Sequence, residues 1–138
     1  MGPNALEAGG ILLGYRRGDH LHVSCATTPQ VGDIRSRYAF QRQAQSHQKI
    51  ARELWASEGM IVDYIGEWHT HPEQKPTPSH VDTDAWRRVC ANRLTPLIFL
   101  IVGNTDVLWV GAGAGPAIAG GNIRLRCGAR FDNVLSQA

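Results

Sequence analysis

The sequence predicts an α+β domain, in a mixed α/β arrangement with one sheet and two main helices. Apolar runs of strand length alternate with two stretches in which apolar and small residues recur at helical spacing. Their order, strand, strand, helix, strand, helix and then three strands, indicates a single sheet packed against helices. A length of 138 residues with 43% hydrophobic residues suits one core. We expect one domain over residues 1–138, with its core at about 7–128 and a tail at 129–138.

Charge, cysteines and hydropathy exclude several classes of protein. The formal net charge is +2 and the basic residues are scattered, so nothing indicates a nucleic-acid partner. Cys25, Cys90 and Cys127 form no Cys-x-x-Cys pair, which favours reduced thiols over a disulfide. No apolar run approaches the roughly 18 residues needed to cross a bilayer, and no secretion signal is recognisable. We therefore predict a soluble, cytoplasmic protein with no membrane contact.

The first predicted element is a β-hairpin. Residues 11–15 and 21–26 have strand composition and are joined by a polar turn, in which Gly18 tolerates positive φ. Just before the hairpin, Gly9-Gly10 allows close approach of another backbone. Glu7 precedes these glycines, and by itself it would be a solvated N-terminal acid.

The first helix is predicted to start at Phe40, because apolar and small residues recur at helical spacing from there until Gly59. His47 lies beside the apolar stripe, where packing explains a lone histidine better than metal binding. Residues 27–37 contain Pro, Gly and Asp without a period and are expected to form a loop.

The second half of the chain is expected to contain four strands and one helix. Residues 60–68 form a strand, and the second helix begins at Ser79. Residues 96–102 suit a central strand buried on both faces. The last two strands are predicted at 106–111 and 122–127, on either side of a stretch rich in Gly and Ala. That stretch, 112–121, lacks the Lys-Ser/Thr ending of a phosphate loop and is expected to be a flexible connection.

Residues 66–82 combine two alternate histidines, a Pro-rich turn and a Ser-x-x-Asp sequence. Strand alternation places His69 and His71 on one face. Asp82 comes from the first turn of the following helix, and the Pro-rich segment suits a chain that folds this helix back over the strand. Catalytic zinc usually takes three such protein ligands and leaves one position for water. The sequence therefore predicts one Zn²⁺ per chain, bound by His69, His71 and Asp82.

Each part of this pattern also has a structural explanation. Ser79 followed by Asp82 matches a capping box at a helix N-terminus. The His-x-His pattern alone is weak, because a second copy, His20-Leu21-His22, has no Ser-x-x-Asp after it. We expect no physiological metal at that second copy. The combination, rather than either part, favours a metal site.

The combination resembles a known signature. His69-Thr70-His71-Pro72, six residues, then Ser79-x-x-Asp82 is similar to the JAMM motif of the JAB1/MPN/Mov34 metalloprotease family. Glu7 with Gly9-Gly10 resembles that family's upstream Glu-x-Gly-Gly segment. The resemblance covers about residues 7–111. It implies a zinc-dependent isopeptidase or peptidase with an MPN/JAB-like, cytidine-deaminase-like architecture, in which a curved sheet is flanked by two helices.

The resemblance also implies roles for individual residues. His69, His71 and Asp82 would bind zinc. Glu7 would accept the proton of the attacking water, and Ser79 would steady the developing oxyanion. These roles agree with the requirements of amide hydrolysis, which needs an activated water, a proton carrier and a donor to the tetrahedral oxyanion.

Glu67 is the rival candidate for the base. Alternation places Glu67 on the face of His69, but two residues along a strand span roughly 6.6 Å, which suits a supporting role better. The resemblance favours Glu7. Trp68 and Thr70 are expected on the opposite face, packed in the core.

The sequence of residues 64–72, together with Pro76-x-Pro78-Ser79 and Trp86, looks most like that of bacterial JAB peptidases encoded beside ubiquitin-ligase-like enzymes. That group, found in CBASS and related anti-phage operons, removes a ubiquitin-like protein or a conjugated synthase from its target. The resemblance implies a protein C-terminal tail as partner. Our hypothesis is that the tail is recognised along a sheet edge by strand addition.

Three other functions stay open. RadC-like proteins share His-x-His-Pro and Pro-x-Pro-Ser-x-x-Asp and are associated with DNA, although the weak basicity of this chain speaks against a DNA-associated metal protein. His71-Pro72-Glu73 also reads as the His-x-Glu of a zinc deaminase, but no Pro-Cys-x-x-Cys follows. A catalytically inactive MPN interaction scaffold is the third possibility, although such members usually lack ligands that are all present here.

Overall fold

The computed structural model describes residues 7–28, 34–35, 40–41, 44–57 and 62–125. The elements in chain order are β1 (Gly9–Arg17), β2 (His20–Ala26), β3 (Ile34–Arg35), β4 (Phe40–Gln41), α1 (Ala44–Ser57), β5 (Asp63–Thr70), α2 (His80–Cys90), β6 (Leu97–Val102), β7 (Val107–Ala114) and β8 (Ala117–Arg124).

The main sheet has six strands in the order β2-β1-β5-β6-β7-β8, and β3 pairs separately with β4. The β5–β6 pair is parallel, whereas the other pairs are antiparallel. Helix α1 contacts β1 and β5, and α2 contacts β7 and β8. The predicted α+β domain with a mixed sheet and two main helices is therefore confirmed. The connection between parallel strands β5 and β6 carries α2, as parallel pairing requires a long crossover.

The predicted hairpin is confirmed, and its strands are longer than expected. β1 and β2 meet at a turn in which Gly18 has φ of 56°, a conformation that favours glycine. The paired glycines before the hairpin do allow a close approach, because a Cβ on Gly10 would lie 2.3 Å from the carbonyl oxygen of Thr27. Trp68 uses the same carbonyl, to which its indole N–H donates at 2.9 Å.

The core lies on both faces of the sheet. On one face, Trp86 and Cys90 of α2 pack on strands β6 and β7. Ala51 of α1 packs beside Ile11 and Leu13 of β1. On the other face the buried residues are Leu12, Ile65 and Trp68. Burial of each such side chain contributes roughly 1.5–3 kcal/mol, so these clusters fix the strand order that carries the histidines.

A β-bulge decides which side chains of β5 face α2. The register between β1 and β5 shifts between Leu12 and Leu13, so that Leu12 pairs with Gly66 and Leu13 with Tyr64. The bulge brings Tyr64 onto the face that Glu67 and His69 share, although simple alternation would separate Tyr64 from them.

The predicted start of the first helix at Phe40 is wrong. Phe40 and Gln41 form β4 and pair with Ile34 and Arg35, and α1 begins at Ala44. The predicted loop over 27–37 is wrong at the same place. The spacing of Phe40 fits the apolar stripe of the helix. Its backbone instead pairs with the short strand β3, and the periodicity of the local sequence does not reveal that pairing. His47 is buried and shares a 2.6 Å hydrogen bond with the Thr27 hydroxyl, which confirms its packing role.

The prediction of a flexible Gly/Ala connection at 112–121 is also wrong. β7 continues to Ala114, Gly115 turns the chain with φ of 63°, and β8 starts at Ala117. Two glycines in this region are needed for packing. A Cβ on Gly111 or on Gly120 would lie 2.1 Å or 2.5 Å from the ring of Trp109. Glycine has a low strand propensity, but here the absence of a Cβ lets the Trp109 ring pack on the strands, and this packing stabilises them.

Some expectations differ in detail or lie outside the described residues. Strand β6 alternates between buried and half-buried side chains, so it is fully buried on one face only. The predicted tail, Cys127 and Gly59 lie outside the described residues. Cys90 is a buried free cysteine. In the described part of the chain, no helix has the length and hydropathy to span a bilayer.

Candidate metal centre

The two histidines lie at the carboxyl end of β5, in the middle of the sheet. His69 pairs with Gly9 on β1 and with Ile101 on β6. The backbone N–H of His71 donates to the carbonyl of Val102 at 3.0 Å, which continues the parallel pairing by one residue. Both side chains are buried, with 9% and 6% exposure for His69 and His71. Pairing on both sides of β5 therefore fixes the backbone that carries the two rings.

Asp82 comes from the first turn of α2. Ser79 is the N-cap, and its hydroxyl accepts a hydrogen bond from the N–H of Asp82 at 3.2 Å. In return, Asp82 Oδ2 accepts from the N–H of Ser79 at 2.7 Å. The capping box expected from the sequence is thus present. It orients the carboxylate of Asp82, because one of its oxygens is tied to the helix terminus.

The three side chains converge. The Nε2 atoms of His69 and His71 are 3.1 Å apart. Asp82 Oδ1 lies 3.3 Å from His69 Nε2, and Asp82 Oδ2 lies 3.2 Å from His71 Nε2. Ligands at about 2.0–2.1 Å from a tetrahedral zinc stand roughly 3.3 Å from one another. The spacing of these atoms therefore fits a small tetrahedral cation, and the capping aspartate takes part in the cluster as well as in the cap.

The electrostatics of the cluster also favour a cation. Burial opposes ionisation of Asp82, but hydrogen bonds with His69 and His71 outweigh it and hold the pKa of Asp82 well below its usual range. For His71, burial disfavours the charged ring, whereas the hydrogen bond and the charge of Asp82 favour it, and the net pKa is raised. The carboxylate of Asp82 therefore favours a positive charge beside it, which a bound metal ion would supply.

Glu7 stands beside this cluster. The N–H of Thr70 donates to the carbonyl of Ala8, so continuing the β1–β5 register places Glu7 across from His71. Glu7 is 7% exposed. Burial raises the pKa of its carboxyl, and the charges of His71 and His69 oppose that rise. The acid that looked solvated by position is therefore a buried neighbour of the histidines.

Glu67 is held by a different partner. The hydroxyl of Tyr64 donates to Glu67 Oε1 at 3.1 Å, and the guanidinium of Arg93 lies 5.2 Å from the centre of the Tyr64 ring. Glu67 shares the face of His69, as alternation predicts. Its contact with Tyr64 agrees with a supporting role.

Two neighbours of the cluster were not identified from the sequence. Glu73 Oε1 lies 3.6 Å from His71 Nδ1, a buried atom with no hydrogen-bond partner among the described residues. The centroid of the Trp86 ring lies 5.8 Å from that of the His69 ring, and Trp86 stacks on Trp109 with ring centroids 5.4 Å apart. The position of Glu73, two residues after His71, could have suggested an orienting carboxylate. No local signal predicts the contact with Trp86, which depends on how α2 packs.

Similar proteins share this region of the chain. Residues 4–111 match the family of prokaryotic homologs of the JAB domain. A CD-NTase/cGAS isopeptidase of Pseudomonas aeruginosa is 42% identical over 99 residues, which cover 70% of this chain and 63% of that protein. The protein of the same name from Vibrio cholerae is 42% identical over 105 residues, covering 76% of this chain and 66% of the relative. This chain thus matches slightly less than two thirds of the length of these relatives.

Two more distant proteins are also similar, one in sequence and one in fold. A protein of Sinorhizobium fredii named probable metalloprotease is 28% identical over 107 residues, covering 73% of this chain and 65% of its own. The solution structure of protein DSY2949 from Desulfitobacterium hafniense has a TM-score of 0.60 at 23% identity, covering 90% of this chain and 80% of its own. That likeness concerns the fold alone. The family match begins before β1, reaches into β7 and includes both helices and every member of the cluster, so this chain belongs to the family of prokaryotic homologs of the JAB domain.

Proposed function

We propose that this chain is a zinc-dependent isopeptidase that releases a ubiquitin-like protein, or a conjugated CD-NTase-like synthase, from its target. The observation that carries the proposal is the convergence of His69, His71 and Asp82 beside the buried Glu7. Relatives with the name CD-NTase/cGAS isopeptidase support the reaction class. Because those relatives are longer than the matched region, the substrate itself belongs to the proposal.

The donor set suits zinc. Two imidazole nitrogens and one carboxylate oxygen form one of the usual ligand sets of catalytic zinc, and they leave a coordination position open. The protein would hold the ion with His69, His71 and Asp82. When bound, zinc supplies a Lewis acid and lowers the pKa of a coordinated water to about 7. Everything else in the reaction falls to the side chains around it.

Glu7 is proposed to carry the proton. A general base works best when its pKa approaches the working pH, and burial raises the pKa of Glu7 in that direction. Glu7 would take a proton from the attacking water and return it to the departing amine, so that the C–N bond breaks without release of an anionic amine. The net result is one carboxylate and one free lysine or α-amine.

Ser79 is proposed to stabilise the tetrahedral oxyanion. Its hydroxyl oxygen accepts from the N–H of Asp82 in the capping box, and this leaves its own O–H free to donate elsewhere. Ser79 is exposed, so a substrate can reach it. The cap and the oxyanion donor would therefore use different parts of the same hydroxyl.

The proposed partner is a protein tail in an extended conformation. Ubiquitin-ligase-like enzymes encoded in the same operon would make the conjugates that this chain cleaves. A cytoplasmic location agrees with the free thiol of the buried Cys90. The two edge strands of the main sheet, β2 and β8, are the places where an extended tail could add as a strand.

The test uses a CD-NTase of the kind named for the relatives, fused through its C-terminus to a reporter domain. Wild-type protein should cleave at the junction, a chelator should stop cleavage, and zinc should restore it. Glu7→Ala should bind zinc without cleaving, and Asp82→Ala should do neither. If wild type binds one zinc but cleaves no faster than these variants, the chain is a scaffold rather than a peptidase.

A further inference from the structure

The segment between the two halves of the metal site has a support of its own. His69 and His71 end β5, whereas Ser79 and Asp82 belong to the start of α2. Residues 72–78 join them. The path of this segment therefore determines whether the aspartate reaches the histidines. Three of its residues are prolines, which have no N–H to donate, so the segment depends on donors from elsewhere.

Donors from the β6–β7 turn and from β8 bind three of its carbonyl groups. The N–H of Asn104 donates to the carbonyl of Glu73 at 2.9 Å, and the hydroxyl of Thr105 donates to that of Gln74 at 2.6 Å. The side-chain amide of Asn122, on β8, donates to the carbonyl of Pro76 at 2.7 Å. Asn104 and Thr105 belong to the turn between β6 and β7. Asn122 belongs to the edge strand β8 and lies 46 residues after Pro76 in the sequence.

Asn122 contacts the most buried residue of the segment, Pro76. Pro76 is almost fully buried, so its carbonyl has few other partners. The second neighbour of the Asn122 amide nitrogen is the carbonyl of Leu108 at 3.5 Å. Since both neighbours are acceptors, the NH₂ end of the amide must face them. Asn122 also pairs across the strands with Trp109, whose ring stacks on Trp86.

We propose that Asn122 is a positioning residue for the metal site. Its hydrogen bond to the Pro76 carbonyl fixes the Pro-rich segment, and through it the orientation of Asp82 and Ser79 towards His69 and His71. The proposal rests on the proposed function only for the identity of the metal. The hydrogen bond is made outside the metal ligands, so its loss leaves the donor set complete but less well organised.

The variants separate positioning from folding. Asn122→Leu keeps the approximate size and removes the donor, and Asn122→Gln keeps an amide on a longer side chain. Arg124→Leu is the matched control, because Arg124 lies two residues along the same strand and its guanidinium pairs with the carboxylate of Asp106 rather than with the segment. Outer partners of metal sites typically change metal affinity by 10–100-fold. We expect Asn122→Leu to weaken zinc binding by about 10-fold or more in competition with a chromophoric chelator.

Further readouts distinguish this role from general stability. Asn122→Gln should recover part of the zinc affinity, and Arg124→Leu should bind zinc like wild type. In cleavage assays Asn122→Leu should lose kcat with little change in KM, because the substitution removes a side-chain donor to Pro76 and leaves the β8 backbone, to which a tail would add, in place. In metal-free protein, hydrogen exchange at the amide of Asp82 should be faster in Asn122→Leu than in wild type, since the cap is less well held.

The outcomes overturn either the inference or the proposed function. Wild-type zinc affinity in Asn122→Leu, or an equal loss in Arg124→Leu, overturns the positioning role. If wild type itself binds no zinc, the proposed function fails, and exchange at Asp82 alone then decides the inference: unchanged exchange in Asn122→Leu rejects it. If Asn122→Leu does not fold, Thr105→Val removes a neighbouring donor to the Pro-rich segment, and unchanged zinc affinity in that variant counts against positioning of the metal site through this segment.

Discussion

Two His-x-His sequences lie on strands of the same sheet, and they have different surroundings. His69 and His71 are buried on β5, within 3.3 Å of the carboxylate oxygens of Asp82. His20 and His22 are exposed on the edge strand β2. The ring of His22 stacks on Tyr15 with centroids 4.5 Å apart, and the Arg17 guanidinium lies 4.9 Å from the same tyrosine ring. One pair faces a carboxylate, whereas the other lies beside a cation.

The difference shows that spacing on a strand is only part of a metal site. Both pairs have the alternation that puts two imidazoles on one face. The pair on β5 also has a strand on each side and a helix that returns its capping aspartate to the same point. Burial there strengthens the attraction between Asp82 and positive charge, because fewer water molecules screen it. The pair on β2 remains in water, next to Arg17, where a cation is less favourable.

The largest effect is expected from removing the carboxylate beside the histidine pair of β5. Asp82→Asn should reduce both zinc content and cleavage to background, because an amide oxygen is a poor ligand and the negative charge is lost. Metal analysis after dialysis and the fusion-cleavage assay measure both. Asp84→Asn on the same helix is the control, since Asp84 is exposed and pairs with Arg87 at 3.5 Å. Retention of one zinc per chain in Asp82→Asn contradicts the assigned ligand set.

The next effect separates proton transfer from metal binding. Glu7→Gln should keep zinc but lower kcat by about 100- to 10,000-fold, the usual contribution of a general base. Glu67→Gln should have a smaller effect, because we assign the proton transfer to Glu7 and the Tyr64 hydroxyl already donates to Glu67. Single-turnover cleavage by zinc-loaded variants makes the comparison. A larger loss in Glu67→Gln than in Glu7→Gln reverses the two roles.

Ser79→Ala tests the two uses of one hydroxyl. Loss of an oxyanion donor should lower kcat by about 100- to 1,000-fold. Loss of the N-cap should lower the free energy of unfolding by only about 1 kcal/mol, which leaves the protein folded. Ser79→Thr keeps both functions and should recover much of each. Equal kcat values for Ser79→Ala and wild type, with the stability loss alone, reduce Ser79 to a cap.

A smaller effect is expected on the stability of the metal-free protein as pH changes. The pKa of His71 is raised above 6.5, so its protonated form stabilises the fold below that pH, and this contribution is lost as pH rises through the raised value. The lowered pKa of Asp82 adds stability above 3.8, which is lost as pH falls. The raised pKa of Glu7 lowers stability as pH rises above 4.5.

These signs predict a higher Tm near pH 6 than near pH 8.5 when the protein is kept in chelator. Thermal unfolding followed by circular dichroism at both values measures the difference. Asp82→Asn removes the partner of His71, so the difference should shrink in that variant. A Tm for wild type that rises from pH 6 to pH 8.5 argues against the charge arrangement.

The smallest effect is expected at the other pair. The double variant His20→Ala with His22→Ala should keep the zinc content and the cleavage rate of wild type, because these rings face Tyr15 and solvent. The only expected change is a small loss of stability from the missing stack. Metal analysis and the cleavage assay check this. A fall in zinc content would mean that the edge strand also contributes ligands.

The sequence predicted the local features well and missed those that depend on distant contacts. His69, His71, Ser79 and Asp82 lie within one continuous stretch whose spacing already implies the strand end and the cap. Glu7 needed the family resemblance, because its approach to His71 depends on pairing between strands that are far apart in the chain.

The errors have the same cause. The glycine-rich region of β7 and β8 looks flexible by composition, but it forms strands because Gly111 and Gly120 leave room for Trp109. Asn122 lies just after residues 112–121, in a stretch whose sequence predicts only a strand. Its contact with the carbonyl of Pro76 has no counterpart in any local pattern, and only the assembled sheet reveals it.

The most direct test compares the two histidine pairs in one experiment. Wild type, His69→Ala with His71→Ala, and His20→Ala with His22→Ala are each dialysed against zinc, analysed for metal and incubated with the CD-NTase fusion. On the proposed function, we expect one zinc per chain and cleavage at the C-terminal junction for wild type and for the β2 variant, with neither for the β5 variant. Cleavage by the metal-free β5 variant, or loss of zinc from the β2 variant alone, would contradict the account.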